Sequence, residues 1–184
     1  VDELVNSLSE NNAYGTKDKI YYAFGLHINV ELISLETKSI LSYLKAYVIL
    51  QDFLNYDAKV DFIRKITPFI DNFKNDYIRH ILGEDYNPTK ESFIDDYLTF
   101  NPTRNRSLDM LPILCFLDEK RVRSYLPDEK IKPRPAFHYR LSNSLIGDEN
   151  WNVSSEFNRW IYVEKLANDE KALAELSKRY VNHL

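Results

Sequence analysis

Hydrophobic and polar positions change period several times along the chain, and each change marks an element. Leu4, Val5 and Leu8 share one stripe, which predicts a helix ending within residues 1–12, stopped by Asn11-Asn12 and Gly15. From Gly25 to Glu31 the period is two: Leu26, Ile28 and Val30 face one way, His27, Asn29 and Glu31 the other. A helix would scatter the three apolar residues around its axis, so this stretch reads as a half-buried strand. Glu36-Thr37 then opens a long helix with Ile40, Leu44, Tyr47, Val48 and Leu54 at three- and four-residue steps. After Asn55-Tyr-Asp57, helix resumes over Val60–Ile66. Pro68 suits the first turn of another, Phe69–Leu82, which ends at Gly83 in the position of a C-terminal cap. The next begins at Thr89, carries Phe93, Ile94, Tyr97 and Leu98, and stops at Pro102.

Asn101-Pro-Thr-Arg-Asn-Arg-Ser107 reads as a loop, Leu108–Leu117 as an interior segment, and Asp118–Leu126 as a short charged helix. Alternation returns at Arg134. Arg134, Ala136, His138, Arg140 and Ser142 share one face, and Phe137, Tyr139 and Leu141 the other; Pro135 puts the start of this strand at an edge or before pairing begins. A turn at Gly147-Asp148 leads to a helix from Ser154 through Leu166, whose Trp160 and Val163 close the core over the sheet. Asn168 or Asp169 caps a last helix with Leu173, Leu176 and Tyr180 inward. The pattern predicts an α+β fold: a curved, mainly antiparallel sheet holding both alternating strands, with a helical insertion at about 36–100 gathered to one side. No repeat or linker marks an internal boundary.

Composition narrows the function. The 184 residues suffice for one domain with a substantial core, and 44% hydrophobic against 28% charged residues exclude disorder. A net charge of −4 argues against broad nucleic-acid binding, so a basic site has to be local. No apolar run approaches a membrane span, no signal peptide opens the chain, and a single cysteine permits no internal disulfide. The cytoplasm is the expected compartment. That cysteine, Cys115, is a small buried hydrophobe or a catalytic thiol, with its apolar neighbours favouring the former. Four glycines exclude Gly-rich nucleotide loops.

Three stretches could carry chemistry. His27, Asn29 and Glu31 form a row that either faces solvent or ligates a cation or polar ligand. Arg104 and Arg106, one residue apart, are a surface pair or an anion clamp on a loop anchored by the buried segment after it. Arg134, His138 and Arg140 in one row are costly unless anions meet them. Brought to one sheet face, His27, Arg106 and Arg140 would line a cationic cleft suited to phosphoryl chemistry. His80 and His183 stand alone.

In order and type these stretches resemble the glutamine-synthetase-like carboxylate–amine ligases, and most closely their amidoligase family. The strings that carry the likeness are Gly15-Thr16, Ala23-Phe-Gly-Leu-His27, Asn101-Pro-Thr-Arg-Asn-Arg-Ser-Leu-Asp-Met-Leu-Pro112 and Arg134-Pro-Ala-Phe-His-Tyr-Arg140. The resemblance implies a glutamine-synthetase-like fold and an ATP-dependent ligase. ATP would phosphorylate a carboxylate, and an amine would displace phosphate to give an amide. The substrates would be small-molecule or peptide acids and amines, with Mg²⁺ or Mn²⁺ as cofactor. It also implies His27 and His138 at metal positions, Asn29 and Arg104 beside the nucleotide, and Arg106, Arg140 and Arg134 on phosphate or acyl group.

There are departures. His138 stands where glutamine synthetases place a metal-binding Glu, and Ser142 where they place Pro. Their first acidic ligands lie upstream of the His strand, and nothing before Gly15 supplies them. The chain is therefore expected to be the C-terminal half of a single catalytic domain, completed by an N-terminal half of the same protein. The rival reading is a binding module for phosphate or an acidic peptide, without turnover.

Overall fold

A computed structural model of the chain describes residues 2–11, 25–58 and 70–184. Its elements, in order, are α1 (Asp2–Glu10), β1 (Ile28–Glu31), α2 (Thr37–Asp57), α3 (Asn75–Leu82) and α4 (Lys90–Phe100). Then come β2 (Leu108–Asp109), α5 (Leu111–Leu117), α6 (Glu119–Tyr125), β3 (Ala136–Tyr139), α7 (Val153–Ala167) and α8 (Glu170–His183). The fold is α+β, with a small three-stranded antiparallel sheet ordered β1-β3-β2.

Local chemistry sets four of the helix starts. Thr89 Oγ1 accepts from the Ser92 amide, Asp118 from Arg121, Asn152 from Ser155 and Asp169 from Ala172, each taking one of the donors that a helix N-terminus leaves unpaired. The Gly147 turn is built as expected: Asp148 donates to the Leu145 carbonyl at 3.0 Å, with Gly147 between them at φ 90°. A side chain there would be strained.

β3 lies between two partners, and all four of its residues are buried. Its odd residues meet the helices. Phe137 and Tyr139 pack against Tyr43 and Tyr47 of α2 and Trp160 of α7, with ring centroids 5.4–6.0 Å apart for the Tyr43–Phe137, Phe137–Trp160, Tyr139–Trp160 and Tyr47–Tyr139 pairs. Trp160 and Val163 are fully buried, as the helical stripe implies. The other face of the sheet carries the polar row.

Four expectations change. The helix over Phe69–Leu82 is only Asn75–Leu82. Within the described residues before it, Asp71 pairs with the 101–107 loop, donating to the Asn105 carbonyl at 2.7 Å and accepting from Ser107 at 3.0 Å. A long-range pairing has claimed the backbone groups that a helix would have used. Gly83 follows α3 at φ −54°, ψ 141°, so the helix ends there without a left-handed cap. The strand from Arg134 to Asn143 is regular only over Ala136–Tyr139. Leu176, placed inward by its spacing, is 36% exposed. The helix expected over Val60–Ile66, the stop at Gly15 and the Gly15-Thr16 and Ala23-Phe24 parts of the motifs lie outside the described residues. Cys115 is buried between its apolar neighbours, and that burial raises its thiol pKa.

Candidate anion-binding site

Strand register builds the site. Asn29 on β1 and Asp109 on β2 both stand opposite His138 on β3, so amide, imidazole and carboxylate lie side by side across the sheet. The chain enters β3 with the Arg134 amide bonded to the Pro112 carbonyl and leaves it with the Arg140 amide bonded to that of Ser107. These two bonds fix both arginines beside the strand. Arg104 comes from the loop, its Nη1 donating to the Lys130 carbonyl at 2.8 Å.

Asp109 is fully buried. Its Oδ2 accepts from Arg140 Nη2 at 2.5 Å and lies 3.8 Å from Arg104 Nε, while Oδ1 accepts from the Leu111 amide at 3.1 Å. Burial pushes its carboxyl above the usual range, and the attraction of Arg140 offsets only part of that rise. His138 goes the other way. Burial, then Arg140, His27, Arg134 and Arg104, push its imidazole down to about 3. It is neutral at any physiological pH.

Nδ1 of His138 lies 2.5 Å from Arg134 Nη2 and 2.9 Å from Asn29 Oδ1. Arginine can only donate, so Nδ1 accepts from it and the ring proton sits on Nε2. The Asn29 amide then meets Nδ1 best when turned so that its NH₂ donates. His27 packs edge-to-face on this ring, centroids 4.9 Å apart at 70°. Burial is graded: Asp109, His138 and Arg140 are buried, Arg104 and Arg134 half-buried, and His27 and Asn29 exposed.

Six of the seven residues proposed from sequence gather here: His27, Asn29, Arg104, Arg134, His138 and Arg140. Arg106 is held elsewhere. Its Nε donates to Asn101 Oδ1 at 2.9 Å, its Nη1 to the Asn72 carbonyl at 2.8 Å, and its guanidinium lies 5.8 Å from the Phe73 ring centroid. These contacts, with the Asp71–Arg106 bridge, tie the 70–74 segment to the 101–107 loop. Asp109 is the residue sequence reasoning passed over. Its signal was a lone carboxylate inside the apolar run 108–117.

Among the described residues, three guanidiniums face one buried carboxylate around a neutral imidazole, with Glu31 exposed two residues along β1 from Asn29, so the row is locally cationic in a chain of net charge −4. The buried Nε atoms of Arg104 and Arg134 have no hydrogen-bond partner among the described residues. That is the chemistry of an oxyanion site. A divalent metal fits it poorly. Arg134 lies on Nδ1 of His138, and the positive charges of Arg140, Arg134 and Arg104 around the ring oppose a cation there. Among the described residues, no three His, Cys, Asp or Glu side chains converge.

The fold is an α+β domain with a row of arginines beside the central strand of its sheet. More narrowly, the chain belongs to the amidoligase family: the family model described as "Putative amidoligase enzyme" matches residues 1–162. No curated protein and no solved structure gives a significant match. Among the described residues no helix is long and apolar enough to cross a membrane.

Proposed function

We propose that the protein is an ATP-dependent carboxylate–amine ligase working through an acyl phosphate, with the sheet as part of a glutamine-synthetase-like fold. A substrate carboxylate oxygen attacks the γ-phosphorus of ATP and ADP leaves. An amine then attacks the acyl carbon, phosphate departs, and the amine proton is lost to give the amide. On this reading the setting is cytoplasmic, and the acid and amine are small molecules or peptide groups. The chain's own residues bind and orient anions. Arg134, half-buried and without an acidic hydrogen-bond partner among the described residues, contacts the phosphoryl or acyl-phosphate oxygens. Arg140, held by Asp109, and Arg104 balance the charge that develops on the transferring group. No step is assigned to a metal.

The observation that carries the reading is the surplus of guanidinium over carboxylate on the polar sheet face of an amidoligase-family chain. Hydroxylamine traps acyl phosphates as hydroxamates, so the test is hydroxamate formation from a panel of carboxylic acids with Mg²⁺ or Mn²⁺ and ATP. ATP-dependent product is expected, falling by about 10²-fold or more in Arg134→Ala. Wild-type yield in that variant would overturn the role of the arginine. Phosphate binding without hydroxamate from any acid would favour a binding module instead.

A further inference from the structure

Away from the polar row, α2, the turn over residues 82–88 and α8 enclose a groove of about 600 Å³, within the size range of small-molecule sites. Leu41, Leu82, Tyr86 and Leu173 make much of its wall apolar. The other charges that line it are paired: Lys38 with Glu170 at 2.7 Å, Lys178 with Glu84 at 3.2 Å and Glu175 with Arg179 at 2.6 Å. Lys45 differs. It lines the α2 wall half-buried and makes no ion pair among the described residues, and burial lowers its ammonium pKa. A partly desolvated cation beside apolar wall is unfavourable alone and favourable once an anion meets it.

We propose that this groove is a second binding site, for a small monoanion with an apolar body such as an aryl- or alkyl-carboxylic acid, with Lys45 receiving the carboxylate. The apolar part lies against Leu41, Leu82 and Leu173. The site is independent of the ligase reading, because none of its residues belongs to the Arg134–His138–Asp109 row.

The experiment titrates 4-phenylbutyrate into the full chain and follows backbone amides by NMR, with 4-phenylbutanol as the uncharged comparison. Saturable shifts are expected at residues 82–88 and 173–178. Affinity should drop about tenfold for the alcohol and by a similar factor in Lys45→Met, the size expected for one charge-assisted hydrogen bond, and Lys45→Arg should restore it. Equal binding of acid and alcohol by the wild type would overturn the proposal even if Lys45→Met failed to fold. Shifts confined to His27, Arg134 and their neighbours would overturn it too, by placing the carboxylate in the other site.

Discussion

At His138 several causes act in one direction: burial first, then Arg140, His27, Arg134 and Arg104. Its pKa in the fold, about 3, lies below the unfolded value near 6.5. Between those values the unfolded chain binds the extra proton, so stability falls as pH drops below about 6.5, and the loss is complete near 3. Asp109 opposes this at the acid end, because its raised carboxyl takes up its proton earlier in the fold than in the unfolded chain. The free energy of unfolding should therefore decline on acidification from pH 6.5 to 4.5, by at most about 1.4 kcal/mol per pH unit for one proton. His138→Gln should flatten that decline. An equal slope in the variant would show that another group titrates. None of this was legible before the fold was known. The sequence shows Arg134, His138 and Arg140 on one face, but Asp109 reaches them only through a strand of two residues.

At the scale of elements, legibility followed the range of the interactions. Helices with a local cap and an apolar stripe, such as those begun by Thr89, Asp118 and Asp169, were readable because the deciding atoms lie within one turn. Asp71 was misplaced in a helix because its partners, Asn105 and Ser107, lie more than thirty residues away. Arg106 lies apart from the other six site residues for the same reason: loop arginines look alike until their acceptors are known. In the structure it clamps the 70–74 segment to the 101–107 loop. Arg106→Ala would leave the Asn101 side chain and the Asn72 carbonyl without this donor, at a cost of about 2–4 kcal/mol. Chemical denaturation should show that loss while phosphate affinity stays within about twofold of wild type. A large loss of phosphate affinity with unchanged stability would return Arg106 to the binding site.

Across the whole molecule, the sheet separates two chemistries. Phe137 and Tyr139 bind it to α2 and α7 through Tyr43, Tyr47 and Trp160, and this dry face fixes the backbone on which the opposite row stands. The arginines are therefore already placed before an anion arrives, and their mutual repulsion is a cost that the free protein carries. An anion that relieves it binds the folded state alone, so the protein should be stabilised by RT ln(1 + [L]/Kd), about 2.7 kcal/mol at a hundredfold excess over Kd. For a chain of this length that is a rise of roughly 5–10 °C in Tm. The measurement is thermal unfolding in phosphate or ATP against sodium chloride at matched ionic strength, which separates binding from screening. Arg134→Ala should lose most of the ligand-dependent rise, because its half-buried guanidinium meets His138 and has no acidic hydrogen-bond partner among the described residues. Arg106→Ala should unfold at a lower temperature yet keep the full increment. If phosphate raised the Tm of Arg134→Ala as much as that of the wild type, the anion would bind elsewhere, and the polar face of the sheet would not be the ligand site.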